Sequence, residues 1–256
     1  GLVALLYGTS IPGLNTFVQT LSGNPGLRSL SLCLRDLDED AADALAVGLS
    51  HCPASLHELE LDIAHSTPLG TFYDRLSNSI AKHKKLHTVT LLLDCVSVSS
   101  MDIDCLTNFV PRLQRLQALT ISAAWGLRGP RSRLTCDVAS KLQTHFTSHE
   151  QLRSLAFFLH GNEIGDSGMG TFAEWLPLVP RLDSLTLGLQ FSGITSAGVR
   201  NSTQGWAGFR GRDLKLMLDG NNTEDSVMLF AETVTAQREG GVTKVTADNQ
   251  YFQPLS

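Results

Sequence analysis

The sequence predicts an α/β solenoid, in which short parallel strands alternate with helices along most of the chain. Three observations support this prediction. A spacing of apolar residues, L-x-x-L-x-L, recurs at intervals of about 30 residues. Within each copy the apolar residues alternate, as they do when one face of a strand is buried. A segment with helical spacing of apolar residues follows most copies. One such unit cannot bury its own apolar face, so neighbouring units must stack to share a core.

Six copies of the strand spacing are clear and two are weaker. The clear copies are Leu27/Leu30/Leu32/Leu34, Leu56/Leu59/Leu61/Ile63, Leu86/Val89/Leu91/Leu93, Leu116/Leu119/Ile121, Leu152/Leu155/Phe157/Leu159 and Leu182/Leu185/Leu187/Leu189. The weaker copies are Leu214/Leu216/Leu218 and Val242/Val245/Ala247. An array that runs nearly from end to end predicts a single domain, residues 1–256, of about eight units.

The units are not all alike. Residues 1–26 are expected to form a partial first repeat that begins with a short strand, and residues 242–256 a terminal strand and tail. Regular repeats are expected over 27–241. One stretch within them, 199–211, is rich in Gly, Ser and Asn, and it is therefore expected to be irregular instead of helical.

An insertion at 124–134 lengthens the fifth unit. Insertions in solenoids form loops on one face, which is often the binding face. Tryptophan and arginine are enriched at interface hot spots. We therefore take Trp125, Arg128, Arg131 and Arg133 as candidate protein-binding residues.

The residues between the leucines are predicted to point away from the core. They include an acidic group and three apolar residues, which are further candidates for binding a protein: Glu58, Glu60, Asp62, Leu92, Phe158 and Met217. Exposed apolar groups indicate a binding surface when they are contiguous. The alternative is an ordinary solvated sheet face. The three carboxylates could also hold a cation, although a solvated acidic patch is the simpler interpretation.

Composition narrows the classes of function. A formal charge of −5 gives no reason to expect nucleic-acid binding, which normally requires clustered Lys and Arg. No window reaches the roughly 18 consecutive apolar residues of a membrane span, so no membrane insertion is expected. Five cysteines without C-x-x-C spacing favour reduced thiols and a cytoplasmic location. Two N-glycosylation sequons, at Asn201 and Asn221, leave a secretory route open.

Catalytic motifs are missing from the sequence. It contains no H-E-x-x-H, no G-x-S-x-G and no phosphate loop of the G-x-x-x-x-G-K type. The histidines are scattered over strand flanks and helix ends, and the cysteines lack metal-ligand spacing. The sequence therefore predicts that the protein is not an enzyme and has no cofactor or metal.

The strand spacing and the period, together with the segment Leu159-His-Gly-Asn-Glu-Ile-Gly-Asp-Ser-Gly, resemble the ribonuclease-inhibitor-like class of leucine-rich repeat proteins. The resemblance covers about residues 20–250 and implies a curved horseshoe, with a parallel sheet on the concave face and helices on the convex face. The chain departs from the family pattern, because the usual Asn or Cys position holds Arg35, Ala64, Asp94, Ala124, His160 or Gln190. Only Asn162 takes a later turn position.

The expected function is that of a non-catalytic protein–protein interaction scaffold, as a subunit of a larger assembly. A rigid repeat surface with varied side chains is suited to this role. The resemblance also implies an alternative, because its members include the ribonuclease inhibitor, the sensing domains of NOD-like receptors and the Ran GTPase-activating protein. The chain would then regulate an enzyme, either as an inhibitor or as a GTPase activator of the Ran type.

Overall fold

A computed structural model of the chain describes most of its residues. The described residues are 2–7, 17, 20–21, 23–66, 71–96, 98–124, 134–223, 226–236 and 244–248. The insertion predicted to carry Trp125, Arg128, Arg131 and Arg133 lies outside them.

The chain folds into one parallel sheet whose nine strands lie side by side in chain order. The strands are β1 (Leu2–Tyr7), β2 (Ser29–Arg35), β3 (Glu58–Asp62), β4 (Thr88–Leu92), β5 (Ala118–Ser122), β6 (Ser154–Phe158), β7 (Ser184–Gly188), β8 (Asp213–Met217) and β9 (Lys244–Asp248). Side chains are described along the seven strands from β2 to β8. The strand expected near the amino terminus is β1, and the expected terminal strand is β9.

Helices alternate with the strands from β2 onward. They are α1 (Glu39–Leu49), α2 (Thr71–Ile80), α3 (Ser100–Thr107), α4 (Asp137–Phe146), α5 (Gly165–Trp175), α6 (Ser196–Ala207) and α7 (Ser226–Ala236). Short 3₁₀ turns follow α3 at Val110–Arg112 and α5 at Leu176–Leu178. Each helix packs against the helix of the next unit. The architecture is therefore a solenoid-like α/β fold with repeated strand–helix units.

The register of the sheet superimposes the repeats predicted from the leucines. Leu59 pairs with Val89, Val89 with Leu119, Leu119 with Leu155, and Leu155 with Leu185. These residues are buried, and so are the apolar stripes of the helices, and together they form one continuous core. The intervening strand residues are half-buried or exposed on most strands. The units therefore share one core between the sheet and the helices, because a single unit cannot bury its own apolar face.

Side chains cap several helices as the sequence suggests. Asp38 accepts a hydrogen bond from the Ala41 backbone N–H at the start of α1. Ser99 and Asp102 form a reciprocal capping box at the start of α3. Such caps satisfy backbone donors that the first turn of a helix leaves free, so each of these helices begins at a defined residue.

A left-handed backbone residue follows the strand at the same position in six units. These residues are Asp36, His65, Cys95, Gly161, Phe191 and Gly220, with φ between 53° and 74°. In the first five of them the N–H donates to a carbonyl of the next unit along the sheet. Only two of the six residues are glycine. The hydrogen bonds between units therefore hold the other four in a conformation that side chains disfavour.

The expectation of irregular structure over 199–211 is wrong, because α6 covers most of that stretch. The glycines of α6 allow this helix to pack closely against α5. A Cβ on Gly198 would lie 2.1 Å from Asp166 Oδ1, and one on Gly205 would lie 2.5 Å from the Ala173 carbonyl oxygen. Helical stability here comes from tertiary packing, which overrides the low propensity of glycine.

We predict that Gly205→Ala destabilises the fold by about 1–3 kcal/mol, because the added methyl must push α6 away from α5. The matched control is Gly170→Ala on α5, where nothing lies within 4 Å of the new Cβ. That change should stabilise the fold by about 0.4–1 kcal/mol, because alanine restricts the unfolded chain. Urea unfolding of both variants checks the pair, and shifts of the same sign would contradict this packing role.

Candidate functional site

The sheet has one face against the helices and one face away from them, which we call the outer face. The strand residues that stand between the buried leucines form two columns in the middle of this face. The register aligns Ser31, Glu60, Thr90, Thr120, Ala156, Thr186, Lys215 and Thr246 in one column, and Cys33, Asp62, Leu92, Ser122, Phe158, Gly188, Met217 and Asp248 in the other. The outer face is the candidate binding surface.

Two of the three acidic residues on β3 form hydrogen bonds with side chains of β2. Glu58 and Glu60 are exposed, and Glu60 accepts a hydrogen bond from the Ser31 hydroxyl. Asp62 is 8% exposed, and its Oδ2 accepts from Arg35 Nη2 at 3.0 Å and from the Cys33 thiol at 3.1 Å. Asp62 therefore joins β2 to β3 instead of presenting a free carboxylate.

The pKa of Asp62 reflects this engagement. Burial alone would raise the pKa of its carboxyl, but hydrogen bonds from the Ala64 N–H, Cys33 and Arg35, together with the charge of Arg35, outweigh burial and hold the pKa below its usual range. In the described part of the chain, no group of three or more His, Cys, Asp or Glu side chains is arranged to hold a metal ion.

Two of the three apolar candidates line one pocket. Leu92 on β4 is separated from Phe158 by Ser122 on β5. Phe158 and Met217 flank Gly188, and the Phe158 ring and the Gln190 amide oxygen lie 3.1 Å from where a Cβ of that glycine would stand. Phe158 and Met217 line the same pocket, and Leu92 is not part of its lining.

A pocket of about 280 Å³ lies at the carboxyl ends of β6, β7 and β8. We call it the outer-face pocket; it is lined by Phe158, His160, Gln190, Phe191, Met217 and Asp219. Of these residues, only Phe158 and Met217 are binding candidates from the sequence. The signal for the others was the strand alternation, which continues two residues past each strand to His160, Gln190 and Asp219.

The polar groups of the pocket are mostly withdrawn from solvent. Gln190 is 8% exposed, and its Oε1 is buried without a hydrogen-bond partner among the described residues. Asp219 is buried as well. Burial lowers the pKa of His160, and the charge of Asp94 opposes this only in part, so the imidazole is neutral at pH 7. The pocket is therefore apolar, with a few polar atoms at fixed places.

The two ends of the insertion are described, and they lie beside this region. Ala124 is its first residue and Leu134 its last, and residues 125–133 between them lie outside the described residues. The Leu134 N–H donates to Asn162 Oδ1, and the Glu163 N–H donates to the Leu134 carbonyl. Both anchors thus lie at the carboxyl-terminal edge of the sheet, next to β6.

Asn162 and Asn221 hold the turns after β6 and β8. The Asn162 amide donates to the carbonyls of Ala123 and Leu159. Asn221 does the same for Leu189 and Leu218, and its Oδ1 accepts from Ser192 and Ile194. The sequence pattern predicts this turn position for Asn162 alone, and the contacts of Asn221 show that it occupies the equivalent position after β8. Because the Asn221 amide is committed to the fold, only the exposed Asn201 presents its sequon side chain to solvent.

The contacts of the other histidines and of the cysteines indicate either a structural role or no role. His83 and His149 are buried at the ends of two units, each bonded through Nε2 to a carbonyl of the preceding unit. His145 pairs with Asp104 between α4 and α3. All five cysteines carry free thiols, and burial raises the pKa of Cys52 to about 11. None of the described helices has the length and apolar character needed to cross a bilayer.

Comparison with protein-family models and with curated protein sequences gives no match. The fold and the outer face therefore carry the functional interpretation.

We predict that the fold loses stability at low pH when the Asp62 carboxylate is protonated. Because its folded pKa is depressed, its contribution is present above the unfolded pKa of about 3.9 and is lost as the pH falls through the folded value. The stability difference between wild type and Asp62→Asn should therefore be largest at neutral pH and shrink below about pH 4.

Chemical denaturation between pH 7 and pH 3 measures this difference. An Arg35→Gln control keeps the carboxylate but removes its cation, which raises the folded pKa towards the unfolded one, so the loss of stability on acidification should be smaller than in wild type. A difference that stays constant across the range would contradict the role given to the Asp62 hydrogen bonds.

Proposed function

We propose that this chain is a non-catalytic protein-binding scaffold, built as a leucine-rich-repeat horseshoe of the ribonuclease-inhibitor-like class. The sheet register at the leucine period supports the class. Asn162 and Asn221 add support, because their amides bridge neighbouring units as the family's turn asparagines are expected to do. In such a horseshoe the outer face is concave.

The observation that carries the binding role is the outer-face pocket, which Phe158 and Met217 line. These two apolar side chains lie on the side away from the core and contribute little to the stacking of the units. Apolar groups that are grouped on a surface favour contact with another protein. The pocket gives an incoming side chain a place to be buried, as interface anchors require.

The same features support a partner of the size of a protein. The outer face extends over seven strands with described side chains, which is a long surface for a small molecule. Polar residues such as Ser122, Thr186 and Lys215 lie beside the apolar group on this face, and polar residues usually border the apolar centre of a specific interface. We therefore propose that the chain works as one subunit of a larger assembly. Its free thiols favour a cytoplasmic location for that assembly.

The alternative role of enzyme regulator has less support. Its candidate arginines, Arg128, Arg131 and Arg133, lie outside the described residues. No other contact favours an inhibitor or a GTPase activator, and a shared fold does not determine function.

We predict that the double variant Phe158→Ser/Met217→Ser weakens binding of the native partner at least tenfold, because it removes the apolar anchors of the interface. The matched control, Leu178→Ser/Met228→Ser, changes two apolar side chains that are 69% and 68% exposed on the helical side. Its affinity should stay within a factor of about two of wild type, since surface changes away from a contact have small effects.

The partner is first identified by quantitative mass spectrometry of what co-purifies with the full chain from its native extract. Binding of that partner to the three proteins is then measured by calorimetry. Equal affinity of the two double variants would contradict binding through the outer face. A chain that retains no partner and stays monomeric would contradict the scaffold role itself.

A further inference from the structure

A column of basic residues lies at the edge of the sheet where the strands begin, opposite to the edge with the outer-face pocket. Lys85, Arg115, Arg181 and Arg210 each stand three residues before the first paired residue of β4, β5, β7 and β8, and Gln151 takes this position before β6. We call the four basic residues the basic column. All four are exposed. The register therefore brings one cation from each of four units to the same edge.

The last two members of the column, Arg181 and Arg210, border a pocket of about 700 Å³ at the amino ends of β6, β7 and β8. Arg153, the residue before β6, borders the same pocket, which we call the basic pocket. Three successive units therefore each supply one arginine to a single cavity. The turn that carries Arg210 lies close against the preceding unit, because a Cβ at Gly211 would stand 2.5 Å from the Leu182 carbonyl oxygen.

The chain does not neutralise these arginines itself. Of the described residues that border the basic pocket, only Asp183 carries a carboxylate, and Arg212 Nε donates to both of its oxygens, at 2.9 Å and 2.8 Å. The hydrogen bonds from Arg212 hold the pKa of Asp183 below its usual range, so the carboxylate is ionised at neutral pH and already paired. Within the described ranges, no residue of the basic column forms an ion pair or a side-chain hydrogen bond.

The helix dipole does not account for the arginines of the pocket. A cation stabilises the carboxyl end of a helix only within its last turn. Arg153 stands seven residues after α4 ends at Phe146, and Arg181 stands three residues after the 3₁₀ turn that follows α5. Arg181 also has φ of 59°, a left-handed conformation that side chains disfavour. Its place in the turn and its charge therefore bring the fold no gain that the contacts reveal.

The spacing of the basic column fits an extended polypeptide. Neighbouring strands of a sheet lie about 4.8 Å apart, so the five units from Lys85 to Arg210 span roughly 19 Å. An extended segment of about six residues has this length, because each residue adds about 3.3 Å. Carboxylates on such a segment match the forked geometry of the guanidinium groups. A single small anion in the basic pocket would leave Lys85 and Arg115 unpaired.

A nucleic acid is the other polyanion that could lie along this edge. Single strands are bound through aromatic side chains on which bases stack, as well as through cations. The described turns before β4 to β8 contain a single Phe, Tyr or Trp residue, Phe209, and it is 2% exposed. The formal charge of −5 also opposes the approach of a long polyanion. A short acidic segment of a protein is therefore the better match.

We propose that the basic column and the basic pocket bind an acidic segment of the partner protein, rich in Asp or Glu. Its carboxylates pair with Arg115, Arg181 and Arg210, and Arg153 adds a further cation at the pocket. This inference rests on the proposed function, because it takes the partner to be a protein. Leu178 also borders the basic pocket, but an apolar side chain forms no ion pair and is not part of the proposed contact.

The two surfaces lie at opposite ends of the same three strands. The outer-face pocket is at the carboxyl ends of β6, β7 and β8, and the basic pocket is at their amino ends. Strands of this length extend over about 16 Å, so one partner protein is large enough to contact both surfaces.

The test is a calorimetric titration of the full chain with hexaglutamate, an acidic peptide long enough to span the column. Hexaglutamine is the uncharged comparison peptide, and a hexathymidylate oligonucleotide represents the competing polyanion. Hexaglutamate should bind most tightly of the three, and hexaglutamine should not bind. Raising the salt concentration from about 50 mM to about 200 mM should weaken hexaglutamate severalfold, because exposed ion pairs are screened.

Two double variants locate the binding. Arg181→Gln/Arg210→Gln removes two cations of the basic column, and the matched control Lys141→Gln/Arg200→Gln removes two cations from α4 and α6. The first should weaken hexaglutamate at least about fivefold, as the loss of two exposed ion pairs predicts, and the control should stay within a factor of about two. Arg181→Lys/Arg210→Lys should bind more tightly than the glutamine variant, because the charge remains. Urea unfolding should show no loss of stability in either glutamine variant.

Four results of the titration would each overturn the assignment of the acidic segment. These are equal binding of hexaglutamate and hexaglutamine, an affinity that does not change with salt, equal losses in the two glutamine variants, and tighter binding of the oligonucleotide. The titration involves neither the partner nor the outer face, so its failure would leave the proposed function standing. Loss of partner binding in Phe158→Ser/Met217→Ser tests that function independently.

The identified partner supplies the final measurement. Arg181→Gln/Arg210→Gln should weaken its binding by at least about fivefold as well, while the Lys141→Gln/Arg200→Gln control should not. An unchanged affinity of the partner for the first variant would overturn the assignment even if hexaglutamate binds as expected.

Discussion

Burial of leucines between neighbouring units is the constraint on which the rest of this structure depends. A strand such as β4 and its helix present their apolar side chains to one layer, and that layer is closed only when the units on both sides are in place. Each strand then takes the register that aligns its buried column with the next, because a slip of one residue would turn Val89 and Leu91 outward. The outer face is a consequence of this register, and its side chains are left free to vary.

Two kinds of polar contact connect the units on top of the shared core. The left-handed residues donate backbone hydrogen bonds to the next unit, and the side-chain amides of Asn162 and Asn221 each bond to two neighbouring units. These contacts lie at the carboxyl-terminal edge of the sheet, where the outer-face pocket also lies. The pocket is thus built on backbone that neighbouring units hold rigidly, and such a base keeps side chains such as Phe191 and Gln190 in place.

The sequence was sufficient to predict the strands and most helices, because their evidence is periodic. Leucines such as Leu155 and Leu185 recur with the spacing of a strand, and the apolar stripe of Val227, Phe230 and Val234 has that of a helix. Composition was misleading for α6, since Gly198 and Gly205 resemble loop residues until α5 is placed against them. Asn221 was missed because its unit has a weaker leucine pattern.

The candidate site was less accessible from the sequence. Alternation along each strand placed Phe158 and Met217 on the outer face, but the pocket that they line appears only when three strands are set in register. Whether Gln190 Oε1 has a partner, and whether Phe191 is left-handed, depends on turn geometry and on contacts between units. Neither property leaves a periodic trace. The features that indicate binding are therefore the ones in which the chain departs from its own repeat.

The most direct test of this account is the pairing of the strands. In a NOESY spectrum of the deuterated chain, backbone contacts should join Thr90 to Thr120, Thr120 to Ala156 and Ala156 to Thr186, as neighbours in a parallel sheet. Contacts that pair these residues with other segments, or that are displaced by one residue, would contradict the shared core and the outer face together.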